Sequence, residues 1–228
     1  MRSPDPNWAE LKEQPFGRWL PEADCKYRAD ELRWILAKRE ELPLTGDLSV
    51  EIGTNRGRFL RSLCKTHPER TVFGIELKTA LCGVAQRRLA RAGLSNGYVV
   101  NADARLALPV LFTGRVLHSI FVLFPDPWWK KRHAKRRLLD PAFIEMASEL
   151  LTPGGALVIK TDVASYAEQV REDLAEFPAL TVVPIEDIDG FASWELTTRE
   201  RHCLEDGLPI YTLAARTQAP LDGRAAMR

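Results

Sequence analysis

Apolar residues along the chain fall into two textures that alternate. Short continuous runs read as buried strands, and longer stretches in which apolar positions recur every three or four residues read as helices. Residues 28–41 (RADELRWILAKREE) have the helical spacing, and DLSVEIGT (47–54) is a short apolar strand running into a turn. RGRFLRSLCKTHP follows at helical spacing, with Phe59, Leu60 and Leu63 on one side. TVFGIELK (71–78) predicts a second strand and ALCGVAQRRLARAG (80–93) a helix closed by Gly93. GYVVNADA predicts a third strand and HSIFVLFPDP a fourth; PAFIEMASELLTPGG (141–155) predicts a helix ending in Pro-Gly-Gly. ALVIKTD (156–162) is the fifth strand, SYAEQVREDLAEFP another helix, and TVVPIE and IYTLAAR (210–216) the last two strands.

Strand and helix alternate almost throughout, which predicts an α/β fold with a doubly wound, mainly parallel, seven-stranded sheet. No helix is evident between the last two strands, so the sheet is expected to end in an antiparallel, hairpin-like addition. The length of 228 residues suits one large domain, placed at 26–217. The leading segment 1–25 and the tail 218–228 are rich in proline and polar residues and are expected to be loosely ordered.

Composition narrows the class only in part. At 45% hydrophobic and 28% charged residues the chain is globular rather than disordered. The net charge of +1 carries no global signal for nucleic acid, but residues 130–137 hold six Lys/Arg and one His in eight positions. Cys25, Cys64, Cys82 and Cys203 have no CxxC spacing; disulfides and a metal site are not expected, and a reduced, cytoplasmic setting fits. No apolar stretch has the length of a membrane span, and the N-terminus lacks a signal-peptide core.

In doubly wound sheets ligands bind beyond the carboxyl ends of the strands. Three loops lie there. In EIGTNRG, Glu51 closes the first strand and Gly53 and Gly57 flank the turn; alone, this is equally an ordinary tight turn. Glu76 ends the second strand 23 residues after Gly53, a spacing suited to ribose hydroxyls, where the plainer reading is a solvated strand-end acid. Asp103, closing the third strand, has the place of an adenine acceptor, or equally of a cap on the segment RLAL after it. Together they describe an adenosine pocket. The turn carries Asn55 and Arg56 in place of a full G-x-G-x-x-G, and the acid before it suits an ammonium or sulfonium better than a pyrophosphate. S-adenosylmethionine is therefore expected over NAD.

Residues 124–137, FPDPWWKKRHAKRR, place Asp126 between two prolines at the exit of the fourth strand, with two tryptophans and the basic run beyond it. One of Trp128 and Trp129 is expected in the core and the other at a base pocket; the pattern does not say which.

EIGxxxG, GIE, NADA, FPDPWWKKRHAKRRL, TPGGALVIKTD and TTRE together resemble the tRNA (guanine-N7-)-methyltransferases, the TrmB family, over about Ser49 to Arg216. The resemblance implies a Rossmann-like class I methyltransferase fold, S-adenosylmethionine as cofactor, and methylation of N7 of guanosine at position 46 in the variable loop of tRNA. By matched position it implies cofactor contacts at Glu51, Gly53, Gly57, Glu76, Asp103 and Asp126, with Asp126 also catalytic. It implies substrate contacts at Lys130, Asp162, Thr197 and Glu200. Lys131, Arg132, Lys135, Arg136 and Arg137 would clamp RNA phosphates, while His133 is expected to be a phosphate or structural contact. The family contains monomers and homodimers. Two positions depart from its pattern: Asn55 stands where the middle glycine usually does, and Arg199 replaces an aromatic residue in the closing motif. Asn tolerates positive φ, so the turn is expected to survive. These departures keep two alternatives in view, a paralogue acting on another RNA guanosine and a catalytically inert RNA-binding relative.

Overall fold

The computed structural model describes residues 7–20, 26–114, 116–128 and 137–218. Seven strands form one sheet: β1 (Leu48–Ile52), β2 (Thr71–Glu76), β3 (Gly97–Asn101), β4 (Leu117–Leu123), β5 (Leu151–Thr161), β6 (Leu180–Val183) and β7 (Tyr211–Thr217). Their spatial order is β3-β2-β1-β4-β5-β7-β6. The first five in sequence pair in parallel, and β7 inserts antiparallel between β5 and β6. This is the expected doubly wound sheet with its antiparallel end.

Successive residues of the central strands feed opposite faces, as strand geometry requires. Leu157 and Ile159 join one core, with Leu48, Val50, Ile52 and Tyr166, while Ala156 and Val158 join the other, with Phe59, Leu63 and Phe121. On the second face Phe59, Phe121 and Trp194 pack edge to face, with centroids 5.1–5.6 Å apart. Phe59 and Phe121, buried to 2% exposure, each contribute roughly 1.5–3 kcal/mol relative to exposure, and Trp194 is partly buried against them.

Helices α1 (Trp8–Glu13), α2 (Lys26–Glu41), α3 (Arg58–Thr66), α4 (Thr79–Arg91), α5 (Ala104–Leu111), α6 (Pro141–Leu150), α7 (Ala164–Ala175) and α8 (Thr198–Glu205) complete the chain. Four features differ from the sequence expectation. The leading segment is not loose throughout: α1 packs Trp8 and Leu11 against the core, and Phe16 and Leu20 are buried in it. A helix, α5, lies between β3 and β4. Pro-Gly-Gly does not end α6, because Leu151 precedes Thr152-Pro153 in extended conformation and the chain enters β5 at once. Gly154 takes φ +77°, and a Cβ on Gly155 would stand 2.9 Å from the Thr152 carbonyl oxygen, so both glycines serve the irregular pairing there. Finally, the connection from β6 to β7 holds α8, so the antiparallel pair is not a simple hairpin. Among the described residues no helix is long and apolar enough to cross a membrane, and Cys64, Cys82 and Cys203 are free thiols.

Candidate active site

The parallel register brings one acid to the carboxyl end of each of five neighbouring strands. In spatial order they are Asp103 after β3, Glu76 on β2, Glu51 on β1, Asp126 after β4 and Asp162 after β5. A cavity of about 450 Å³ opens above the middle of this row, lined among others by Glu51, Gly53, Thr54, Asn55, Arg56, Phe59, Asp126, Asp162, Thr197 and Arg199. Gly57, Glu76, Asp103 and Glu200 do not line it; Glu76 and Asp103 continue the same sheet edge past β1.

Glu51 is 4% exposed and its Oε2 accepts a 2.6 Å hydrogen bond from Thr54 Oγ1. Burial pushes its carboxyl up to about 7, and nearby Glu76 adds to the rise, against hydrogen bonds from Thr54 and the Leu60 backbone. The turn after it takes left-handed conformation at Gly53 (φ 72°), Asn55 (φ 51°) and Gly57 (φ 68°). Asn55 therefore keeps the turn, as expected of the residue that best tolerates positive φ after glycine. A Cβ on Gly53 would meet no protein atom within 4 Å, so the backbone there lies open.

Glu76 is held by backbone: Asn55 N and Lys78 N donate to its two oxygens, each at 2.9 Å. Asp103 does serve as a cap, one of the two roles its position in the sequence allows. It accepts from Arg105 N at 2.9 Å as the N-cap of α5, and from Arg28 Nη2 at 2.7 Å.

Asp126 is exposed, and its carboxylate has no hydrogen-bond partner among the described residues. The loop that carries it is set by backbone rather than by its acid. Phe124 and Trp128 take φ of 53° and 43°, and Phe124 N donates to the Lys160 carbonyl at 2.7 Å. Arg137, expected to bind phosphate, anchors this loop in the ligand-free chain. Its Nε donates to the Pro127 carbonyl at 3.0 Å, its Nη1 bonds Gln169, and its guanidinium lies 5.1 Å over the Tyr166 ring. Trp128 is half-buried and does not line the cavity. Trp129, Lys130, Lys131, Arg132, His133, Lys135 and Arg136 lie outside the described residues.

On the far rim, Thr197 and Glu200 form a capping box on α8: Glu200 N donates to Thr197 Oγ1 at 3.0 Å, and Thr197 N to Glu200 Oε2 at 2.7 Å. The other oxygen of Glu200 pairs with Lys160 of β5, and Glu200 is 2% exposed. Glu200 thus supports the site from beneath, and Thr197, with its hydroxyl in the cap, still lines the cavity. Asp162 is paired to Arg199. Sequence reasoning missed Thr54 and Lys160. Thr54 follows Gly53 directly and was in plain view, whereas nothing in the sequence links Lys160 to Glu200.

The donor set fits a cationic, adenosine-bearing ligand. Glu51 is a buried acid that a positive charge would ionise, the turn exposes backbone, and Glu76 and Asp103 continue the row of acids along the sheet edge. Comparison with known proteins agrees. Residues 46–213 match a family described as "Putative methyltransferase". The tRNA (guanine-N(7)-)-methyltransferase of Anaeromyxobacter dehalogenans is 40% identical over 169 residues, 74% of this chain and 84% of that one. The enzyme of the same name from a Synechococcus strain is 33% identical over 220 residues, 92% of this chain and 90% of that one. Among solved structures, TrmN from Thermus thermophilus shares the fold at a TM-score of 0.53 and 20% identity, over 82% of this chain and 48% of that one. With sequence match over most of its length and the strand-end acids in place, the chain belongs to the tRNA (guanine-N7-)-methyltransferase family.

Proposed function

We infer that the chain transfers a methyl group from S-adenosylmethionine to N7 of guanosine in tRNA, and we assign the target to position 46 in the variable loop. The observation that carries this reading is the row of five strand-end acids, with Glu51 buried on the cavity and Asp126 lining it beside Glu51. When bound, the cofactor supplies a methyl group made electrophilic by its sulfonium. Glu51, Gly53 and the Asn55 turn would hold its amino-acid end, and Glu76 and Asp103 its ribose and adenine.

N7 of guanine has an in-plane lone pair, so no proton has to leave before it attacks. The chain's task is alignment, which can remove several kcal/mol from the barrier. A carboxylate facing the N1–H and N2–H edge accepts two hydrogen bonds that adenine cannot offer. The base also gains positive charge as the methyl arrives, and a fixed carboxylate stabilises it. Asp126 would take both roles: it lines the cavity, and nothing among the described residues competes for it. Glu200, with both oxygens engaged, would not. Asp162 becomes available when Arg199 releases it. The cations of 130–136 would hold phosphates beside the reacting nucleotide, and some extrusion of the base from folded tRNA is required.

Mass analysis of nucleosides from tRNA incubated with the protein and S-adenosylmethionine tests the reading. 7-Methylguanosine is expected, and it should vanish with a transcript whose position 46 is adenosine. Methylation surviving in that transcript would remove the positional assignment, and another methylated nucleoside would remove the reaction.

A further inference from the structure

Among the described residues, a concentration of positive charge with no acid on the same helices lies on α3 and α4. α3 carries Arg58, Arg61 and Lys65, and α4 carries Arg87, Arg88 and Arg91; neither helix contains an Asp or Glu. In a chain of net charge +1 this is a strong local asymmetry. The spacing i, i+3, i+7 on α3 and i, i+1, i+4 on α4 places each set on one side of its helix. The two helices pack together, and at their near end a Cβ on Gly57 would stand 2.8 Å from Ala85 Cβ. Between them runs an open groove of about 650 Å³, lined by Arg61, Lys65, Arg87, Arg88 and Arg91.

The protein does little to neutralise this groove. Glu195 is the acid that reaches it, 2.5 Å from Arg61 Nη2 and 3.9 Å from Arg58 Nη2. Arg61 Nε is buried with no hydrogen-bond partner among the described residues. Burial and repulsion from Arg61, Arg58 and Arg56 hold Arg88 below the ordinary arginine range. Such crowding of like charge is destabilising unless an anion occupies the groove. Arg56 and Arg58 line the methyl-transfer cavity, and Arg61, three residues further along α3, lines the groove, with Glu195 shared between Arg58 and Arg61.

We propose that the α3–α4 groove carries the phosphate backbone of the tRNA substrate as it leaves the methyl-transfer cavity on the β2–β3 side. The inference rests on tRNA being the substrate. A polyanion with one nucleotide in the cavity must cross a neighbouring surface, and this one offers a row of guanidiniums suited to phosphate oxygens. Phosphate contacts of this kind fix orientation and carry no sequence information. They act in addition to the cations of 130–136, which follow β4 in the sequence.

The test uses the full chain with Arg87 and Arg91, which are exposed and do not line the cavity, changed together to Gln. Binding of bulk tRNA is measured by fluorescence anisotropy across a salt series, with methylation kinetics and S-adenosylmethionine affinity alongside. The expected result is a tRNA affinity about tenfold or more weaker and a salt slope smaller by about 2, one for each phosphate no longer held. KM for tRNA should rise, with kcat and cofactor affinity unchanged, and the Arg→Lys pair should recover most of the slope. A Gln pair whose tRNA affinity and slope equal the parent's overturns the proposal, whether the groove then serves an acidic protein or nothing. Unchanged cofactor affinity certifies the fold of the variant. Binding and 7-methylguanosine formation are read separately. A parent that binds tRNA through this groove but forms no 7-methylguanosine would therefore sink the reaction and leave the groove standing.

Discussion

The acids on the two sides of the cavity are held by different kinds of group. Toward β2 and β3, Glu76 and Asp103 accept from backbone N–H groups of the adjoining turns and of α5, and Arg28 adds to Asp103. Toward β4 and β5, Asp126 has no partner among the described residues, and Asp162 is held by the half-exposed Arg199 side chain. A backbone donor cannot leave without refolding its turn, whereas an arginine swings away for less than about 1 kcal/mol. On the proposed reading, one side is therefore fixed in advance for the cofactor, which is the same in every turnover. The other can exchange its partners for those of an incoming base. Glu51, on β1, stands at the boundary.

The largest effect expected from this contrast is at Asp126. Exposed and with no partner to lose among the described residues, Asp126→Ala should fold as the parent does and bind S-adenosylmethionine within about threefold of it, while turnover falls by roughly 10²–10³, the range for loss of one preorganised electrostatic group. Single-turnover methylation and calorimetric titration of the cofactor separate the two. A variant that loses cofactor affinity as much as turnover would move Asp126 to the fixed side and break the contrast. Asp126→Asn with full turnover and intact guanine selectivity would remove its catalytic role.

Glu51 gives the next effect, with a sign that depends on pH. Its folded carboxyl lies near 7 against an ordinary 4.5, so the folded, ligand-free protein holds a proton that the unfolded chain has released. The stability this gives is fully present below about 4.5, falls as pH rises, and is gone above about 7. The loss amounts to roughly 3 kcal/mol. Glu51→Gln should then be more stable than the parent by up to about 3 kcal/mol at pH 8 and equal to it near pH 4, as urea unfolding at the two pH values would reveal. The same variant should bind the cofactor at least tenfold more weakly, since the ionised acid is what a cation selects. A Gln variant less stable than the parent at pH 8 would mean that the carboxylate is already satisfied without ligand.

How much of this was open to sequence reading follows the same division. Strand ends and their acids were legible because short apolar runs stop abruptly at Glu51, Glu76, Asp103, Asp126 and Asp162. The helices α5 and α8 were not. ARLALPVL is apolar nearly all round and contains Pro109, and TRERHCLE shows no apolar stripe, its buried positions being Glu200 and Cys203. The capping pattern Thr197-x-x-Glu200 was present as a signal for α8. Taken as a cap, Glu200 would have been a helix-stabilising residue rather than a substrate contact. Pairings across distance stayed hidden: Lys160 with Glu200, Arg199 with Asp162, and Arg137 with the Pro127 carbonyl join segments that only the folded chain brings together. The arginines of α3 and α4 were visible one by one, but a common groove exists only once the helices are packed.

The smallest expected effect belongs to Arg199, and it tests the exchangeable side most directly. Arg199 keeps about half of its side-chain surface exposed, while its guanidinium holds an Asp162 that is 17% exposed. Replacing it by Tyr, the aromatic type usual at this position in the family, frees Asp162 and leaves the Thr197–Glu200 capping box intact. Stability should change by less than about 1 kcal/mol, because a pair this open to solvent is worth no more. If Arg199 restrains Asp162 until the base arrives, the variant should lower KM for tRNA by a few-fold and leave cofactor affinity alone, with no loss of salt dependence. If KM instead rises, the guanidinium itself touches the RNA, and Asp162 then belongs with the acids whose partners stay in place through turnover.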